Sequence, residues 1–321
     1  MFRELALATV AVSALLGTNL GEVQGAQKAA SRVLSRVSAP LPAKPNLKLK
    51  LSTGSIASTL TPPPDTSDPM NKFRIPNTSH QIIVGITEGW AGNKAQIRRF
   101  TRKSGDWTSV DGDPISAVLG PKGLVWGRGL NPIPADAISA AGGPGSKRSK
   151  REGDKRSPAG VFSLGKAYGY DPIWAARTKL EYVTVTPADL FIEDTASEFY
   201  NNQIRLDHPA ASDWELSQQM EQTDPAHRLE VVVGHNTPSP ARGAGSAILL
   251  HIWRQNGKKF TTGCTAMADA NIETIIRWLD PSSRPLYVLL PRSEYLARQV
   301  AWGLPELFSA VASSTGSVSV E

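Results

Sequence analysis

Cys264 is the only cysteine in the chain, and His251 precedes it within one stretch, A-G-S-A-I-L-L-H-I-W-R-Q-N-G-K-K-F-T-T-G-C-T-A-M, from Ala244 to Met267. A thiol is mostly protonated at neutral pH, and a neighbouring imidazole lowers its pKa and takes its proton. Such a pair suits acyl transfer. The thiolate attacks a carbonyl, a thioester forms, and the imidazolium gives its proton to the leaving amine. The developing oxyanion needs donors as well. Gly263 permits close backbone approach, so the amides around Thr262, Gly263 and Cys264 are the candidates. Ser246, Asn236 and backbone carbonyls are all open as the group that aligns the imidazole. The competing readings are a buried small residue for Cys264 and a core histidine bonded to backbone for His251.

Strand geometry must bring the pair together. Asn256-Gly257 lies between apolar runs and reads as the two-residue turn of an antiparallel hairpin. In that register Gln255 faces Lys258, Trp253 faces Phe260 and His251 faces Thr262. Opposed residues share a sheet face, which puts His251, Thr262 and Cys264 together, with Cys264 diagonal to His251. A slip of one residue would separate them.

The rest of the chain predicts a mainly β fold with short helices. Apolar residues make up 40% of the 321, enough for a core, and 27 Gly and 24 Pro favour many turns. Strands are expected at 80–86, 95–101, 107–110, 161–164, 180–185, 229–233 and 286–290. A short helix is expected at 214–222 with Met220 inward. Ile272, Ile275, Ile276 and Leu279 fall on one helix face, with Asp269 as cap, and 294–307 also reads as helical. The basic, Gly-rich loop 142–160 reads either as a solvated loop or as a lip that meets an acidic substrate.

The N-terminus reads as a secretory signal peptide over 1–25: a basic start at Arg3, an apolar run from Leu5 to Leu16, and small or permissive residues before Ala26. An uncleaved anchor is the competing reading. No other run is long and apolar enough to cross a membrane, so no stable membrane insertion is expected. A basic, Pro-rich linker follows over 26–78. Residues 26–60 hold Lys28, Arg32, Arg36, Lys44, Lys48 and Lys50 and no acid, which matches the net charge of +6 for the whole chain. The positive balance therefore belongs to this tail, and nucleic acid is a poor expectation for a partner; an acidic wall polymer or membrane surface is a better one. One cysteine excludes an internal disulfide. His80, His208, His227 and His235 show no zinc-ligand spacing, so no metal is expected, and no Gly-rich phosphate loop precedes a helix.

G-S-A-I-L-L-H-I-W, then T-T-G-C-T-A-M, then a helix ending R-W-L-D-P, resembles the L,D-transpeptidase catalytic domain, the YkuD-like family. K-R-E-G-D-K-R-S-P-A-G-V-F at 150–162, F-I-E-D-T-A-S-E-F-Y-N-N at 191–202 and V-V-V-G-H-N at 231–236 resemble one branch of it. The likeness covers roughly 79–291 and leaves a C-terminal helix and tail, 292–321, outside. It implies a YkuD-like β-sandwich catalytic domain without metal or organic cofactor. Cys264 would be nucleophile and His251 general base and acid. It further implies peptidoglycan stem peptides as substrates, a secreted or periplasmic, wall-associated location, and covalent inhibition by carbapenems. Thr262 departs from the many members that carry a second histidine before Gly-Cys, so His251 must do all the proton transfer. The alternatives are an L,D-carboxypeptidase or other amide hydrolase, with water as acceptor, and a non-catalytic wall-binding protein.

Overall fold

The computed structural model describes residues 67–139, 145–220 and 223–307. The signal-peptide expectation, most of the linker and the far end of the tail lie outside the described residues. The elements in chain order are β1 (Gln81–Thr87), β2 (Lys94–Lys103), β3 (Asp106–Ser109), β4 (Ile115–Val118), β5 (Leu124–Trp126), α1 (Ala135–Ser139), β6 (Ser157–Gly169), β7 (Tyr182–Thr184), β8 (Asp189–Phe191), β9 (Gln203–Arg205), α2 (Asp213–Gln218), β10 (Leu229–Val233), β11 (Leu249–Ile252), β12 (Thr265–Met267), α3 (Asp269–Trp278), β13 (Leu286–Pro291) and α4 (Arg292–Trp302). The mainly β expectation holds.

Eight strands close on themselves. From β1 the ladder passes through β13, β6, β10, β11, β12, β4 and β2 and returns to β1. One continuous ladder thus runs round a barrel, in place of two separately paired sheets. β1 with β13 and β11 with β12 are parallel; the other ring pairs are antiparallel. Every residue of β1 and β13 is buried, because one face looks into the barrel and α4 covers the other. That double burial is why both read as unbroken apolar runs. α3 lays Ile272, Ile275 and Ile276 on β10 and β11, each contributing about 1.5–3 kcal/mol by burial.

Two boundaries differ from expectation. The packed body starts before Ser79: Trp302 of α4 donates to the Met70 carbonyl at 2.7 Å, meets Phe73 edge-on at 5.2 Å, and its own carbonyl accepts from Ile75 N at 2.8 Å. Residues 68–78 therefore belong to the body and not to the linker, and α4, beyond the stretch that the resemblance covers, packs into the same core. Asp269 does not cap α3, which has no side-chain cap; its carboxylate pairs with Arg228.

The hairpin expectation fails. β11 and β12 run parallel, with Leu250 opposite Thr265, His251 opposite Ala266 and Ile252 opposite Met267. The Asn-Gly turn does form: Gln255, Asn256 and Gly257 all have positive φ, and Arg254 bridges Lys259. It goes no further, because Lys258, Lys259 and Phe260 are exposed and bury nothing on a sheet. The apolar Thr265–Met267 segment instead fills the slot between β11 and β4.

One bond crosses the barrel. The hydroxyls of Tyr287 on β13 and Thr265 on β12 are 2.8 Å apart and both residues are buried. β12 and β13 are not neighbours in the ring, so this contact spans the interior and ties down the strand that follows Cys264. Tyr287→Phe leaves the Thr265 hydroxyl unpaired in the core, and we expect a loss of about 1–3 kcal/mol in chemical denaturation. An unchanged midpoint would show that the bond does not hold β12.

Candidate active site

His251 sits on β11 with Glu230 of β10 opposite on one side and Ala266 of β12 opposite on the other. Cys264 lies in the bend just before β12, and the register that relates it to His251 is not the one read from the sequence. Both line one cavity of about 530 Å³, a size typical of ligand sites.

A tight turn presents the thiol. Thr261 Oγ1 donates to the Cys264 carbonyl at 2.7 Å and accepts from Gly263 N at 3.2 Å. At 263 a Cβ would crowd the Arg156 carbonyl oxygen at 3.0 Å, which favours glycine there. The Gly263 amide is thus engaged, and the Thr262 and Cys264 amides are the remaining candidate oxyanion donors. Above the thiol the chain is strained: Ala247 adopts φ 49°, a left-handed conformation uncommon for a residue with a Cβ. Asn201 Oδ1 holds it there by accepting from Ala247 N at 3.0 Å. The Ala247 carbonyl accepts from Cys264 Sγ at 3.3 Å, while the Leu249 N–H also faces the sulfur.

Both partners are neutral at rest. Burial above all pushes the Cys264 thiol up to about 12. Burial, followed by the adjacent His227, holds His251 down at about 3. The His251 ring contacts a carbonyl through Nδ1, 2.8 Å from Ile252 O. A carbonyl only accepts, so Nδ1 carries the proton and Nε2 keeps its lone pair. Among the three candidates for aligning the imidazole, the backbone carbonyl does so. Ser246 lines the cavity but donates to Glu152 Oε2 at 2.7 Å. Asn236 lies apart, buried, its amide nitrogen donating to the Ala241 and Gly245 carbonyls at 3.0 Å and its oxygen accepting from Ala241 N at 2.9 Å. It braces the 236–245 loop and does not line the cavity. Thr262 and Gly263 line the cavity as expected.

The sequence reading missed the surroundings of the imidazole. His227 stacks on His251 with ring centroids 5.0 Å apart and 24° between planes. Its Nδ1 lies 2.7 Å from Glu230 Oε2, and its Nε2 lies 2.9 Å from Arg254 Nη2, whose guanidinium is paired with Asp224. A guanidinium only donates, so His227 Nε2 accepts and Nδ1 donates, fixing the ring. Glu152, Glu193, Lys150, Arg254 and Lys259 give the cavity both signs of charge. Only the opposition of Glu230 and His251 across β10 and β11 could have signalled this set, and it depends on a pairing that no local motif encodes.

Among the described residues no cluster of three or more His, Cys, Asp or Glu is placed to hold a metal, and no helix is long and apolar enough to cross a membrane. No protein-family model matches the chain, and no curated protein matches it.

Two pH effects follow. The thiolate is the alkylated form, so with Cys264 held near 12 the rate of iodoacetamide modification should climb about tenfold per pH unit through pH 9, without levelling. A plateau at or below pH 7 would contradict the neutral resting pair. The imidazoles of His251 and His235 are depressed from 6.5 to about 3 and about 4, His235 also mainly by burial. Their unfolded counterparts bind protons first, so their contribution to stability is complete above pH 6.5 and is lost as pH falls toward 4. The melting temperature should drop over that interval, and His235→Gln should flatten the drop; an equal slope in the variant would refute the assignment.

Proposed function

We propose that the chain is a cysteine-dependent L,D-transpeptidase acting on peptidoglycan stem peptides at the cell wall, built on a YkuD-like catalytic fold. The observation that carries this reading is that Cys264 and His251 line one cavity, with His251 Nδ1 tied to a carbonyl and Nε2 left as proton acceptor. The resemblance of the residues around both positions to that family supports it. So does the lining: stem peptides carry carboxylates and amines, and Lys150, Arg254, Lys259, Glu152 and Glu193 line the same space.

In the first half-reaction Cys264 Sγ attacks the scissile carbonyl while His251 Nε2 takes the thiol proton. Because both groups rest neutral, proton transfer accompanies S–C bond formation and does not precede it. The oxyanion is met by the amides of Thr262 and Cys264. Collapse breaks the C–N bond, the imidazolium protonates the leaving amine, and an acyl-thioester remains. In the second half an acceptor amine attacks the thioester, His251 removes its proton, and the S–C bond breaks to give a new amide. Water in place of the amine makes the protein an L,D-carboxypeptidase. One observation favours a second reading, a wall-binding protein that keeps the fold: the thiol is buried and already bonded to the Ala247 carbonyl.

Incubation with a carbapenem followed by intact-mass measurement decides between them. Attack on the β-lactam carbonyl opens the ring, and the ring nitrogen takes the proton, so the protein should gain the mass of one whole inhibitor. Cys264→Ala should gain none, and His251→Asn should acylate at least 100-fold more slowly. An unmodified wild type, or an equal adduct on Cys264→Ala, refutes the catalytic reading.

A further inference from the structure

The basic segment entering β6 has two sides. Lys150, Glu152 and Gly153 face the thiol cavity. Arg148, Ser149, Arg151 and Asp154 line a separate cleft of about 160 Å³, completed by Lys122 and Arg156. One stretch of backbone thus forms a wall common to both, and the Lys150–Asp154 ion pair runs through it.

Four cations line this cleft against one carboxylate, and that carboxylate is already engaged. Asp154 accepts from Lys150 Nζ, from Arg156 N at 2.9 Å and from Arg151 N at 3.0 Å. Among the described residues Lys122, Arg148, Arg151 and Arg156 form no ion pair, and Arg148 Nε is buried without a hydrogen-bond partner. The backbone fixes the Arg148 position, its carbonyl accepting from Trp126 N at 2.9 Å. The Arg156 guanidinium donates to the Lys122 and Leu124 carbonyls at 2.5 and 3.4 Å and adds charge but not its whole fork; like charges gathered in a concave site repel one another and concentrate counter-ions, and the planar forks of Arg148 and Arg151 match an oxyanion. Ser149 adds a neutral donor.

We infer that this cleft is a binding site for a phosphate group that still carries a proton, inorganic phosphate or a phosphate monoester. Asp154 decides the class. A carboxylate in the wall repels a fully deprotonated anion, whereas it accepts a hydrogen bond from a phosphate hydroxyl. Sulfate and phosphodiesters have no such hydroxyl. The inference does not depend on the chemistry at Cys264, since none of the six lining residues used here takes part in it.

The test is titration of the full, isotopically labelled chain at about pH 5.5, below the second phosphate pKa of about 6, with inorganic phosphate, methyl phosphate, dimethyl phosphate and sulfate, with sodium chloride matching ionic strength. Amide shifts should saturate at residue 122 and within 148–156 for the first two, and sulfate and dimethyl phosphate should bind at least tenfold more weakly. Arg148→Ala/Arg151→Ala should weaken phosphate at least tenfold while keeping the wild-type melting temperature and carbapenem adduct. No saturable shift, the same shift with chloride, or wild-type affinity in the double variant overturns the site. Equal affinity for sulfate or dimethyl phosphate overturns the hydroxyl-bearing class. If the double variant melts early, Lys122→Ala, on an exposed turn, takes its place with the same expected weakening and the same refuting result.

Discussion

A strand of only three residues, β12, fixes the geometry of everything near the thiol. It is gripped by β11 on one side and β4 on the other, and by Tyr287 from across the barrel. So short a strand has no stability of its own, and its position is set by its neighbours. Cys264 emerges at its N-terminal end, at the point where regular pairing stops and the Thr261 turn begins. Ring closure thus transmits the rigidity of eight strands to a single sulfur. An arrangement of reacting groups held on sheet elements keeps its geometry better than one carried on loops.

The polar environment of the imidazole follows the same logic one strand further on. β10 brings Glu230 opposite His251, and the turn before β10 brings His227 over the ring. Glu230, Arg254 and Asp224 occupy the polar atoms of His227 and of one another. Glu230 is buried and the other three are half-buried, and their shared hydrogen bonds couple them into one network.

Much of the fold was legible because it follows local rules. The apolar runs of β1, β10 and β13 and the helical face of α3 emerged where pattern and propensity agree. The β11–β12 hairpin was misread because the turn chemistry at Asn256-Gly257 is real but serves a turn with one bridge. Pairing was then decided by which segment had apolar surface to bury, and Lys258–Phe260 had none. His251 and Cys264 nevertheless line one cavity. Asn236 misled for the opposite reason: its polar side chain proved to be spent on its own loop. The His227 set could not be read, since it rests on contacts between strands distant in sequence.

Barrel closure has an effect on solution behaviour. A strand at the rim of an open sheet offers unpaired amides and carbonyls to any other chain, the usual route to fibrous association. None of the eight ring strands offers such a rim, and β6, the longest at 13 residues, carries ladders to β5, β7, β10 and β13 along its length. β3, which borders β2 from outside the ring, is only four residues long and opens with the exposed Asp106. Among the described residues the remaining edges are on short strands: β5, β7, β8 and β9 have three residues each.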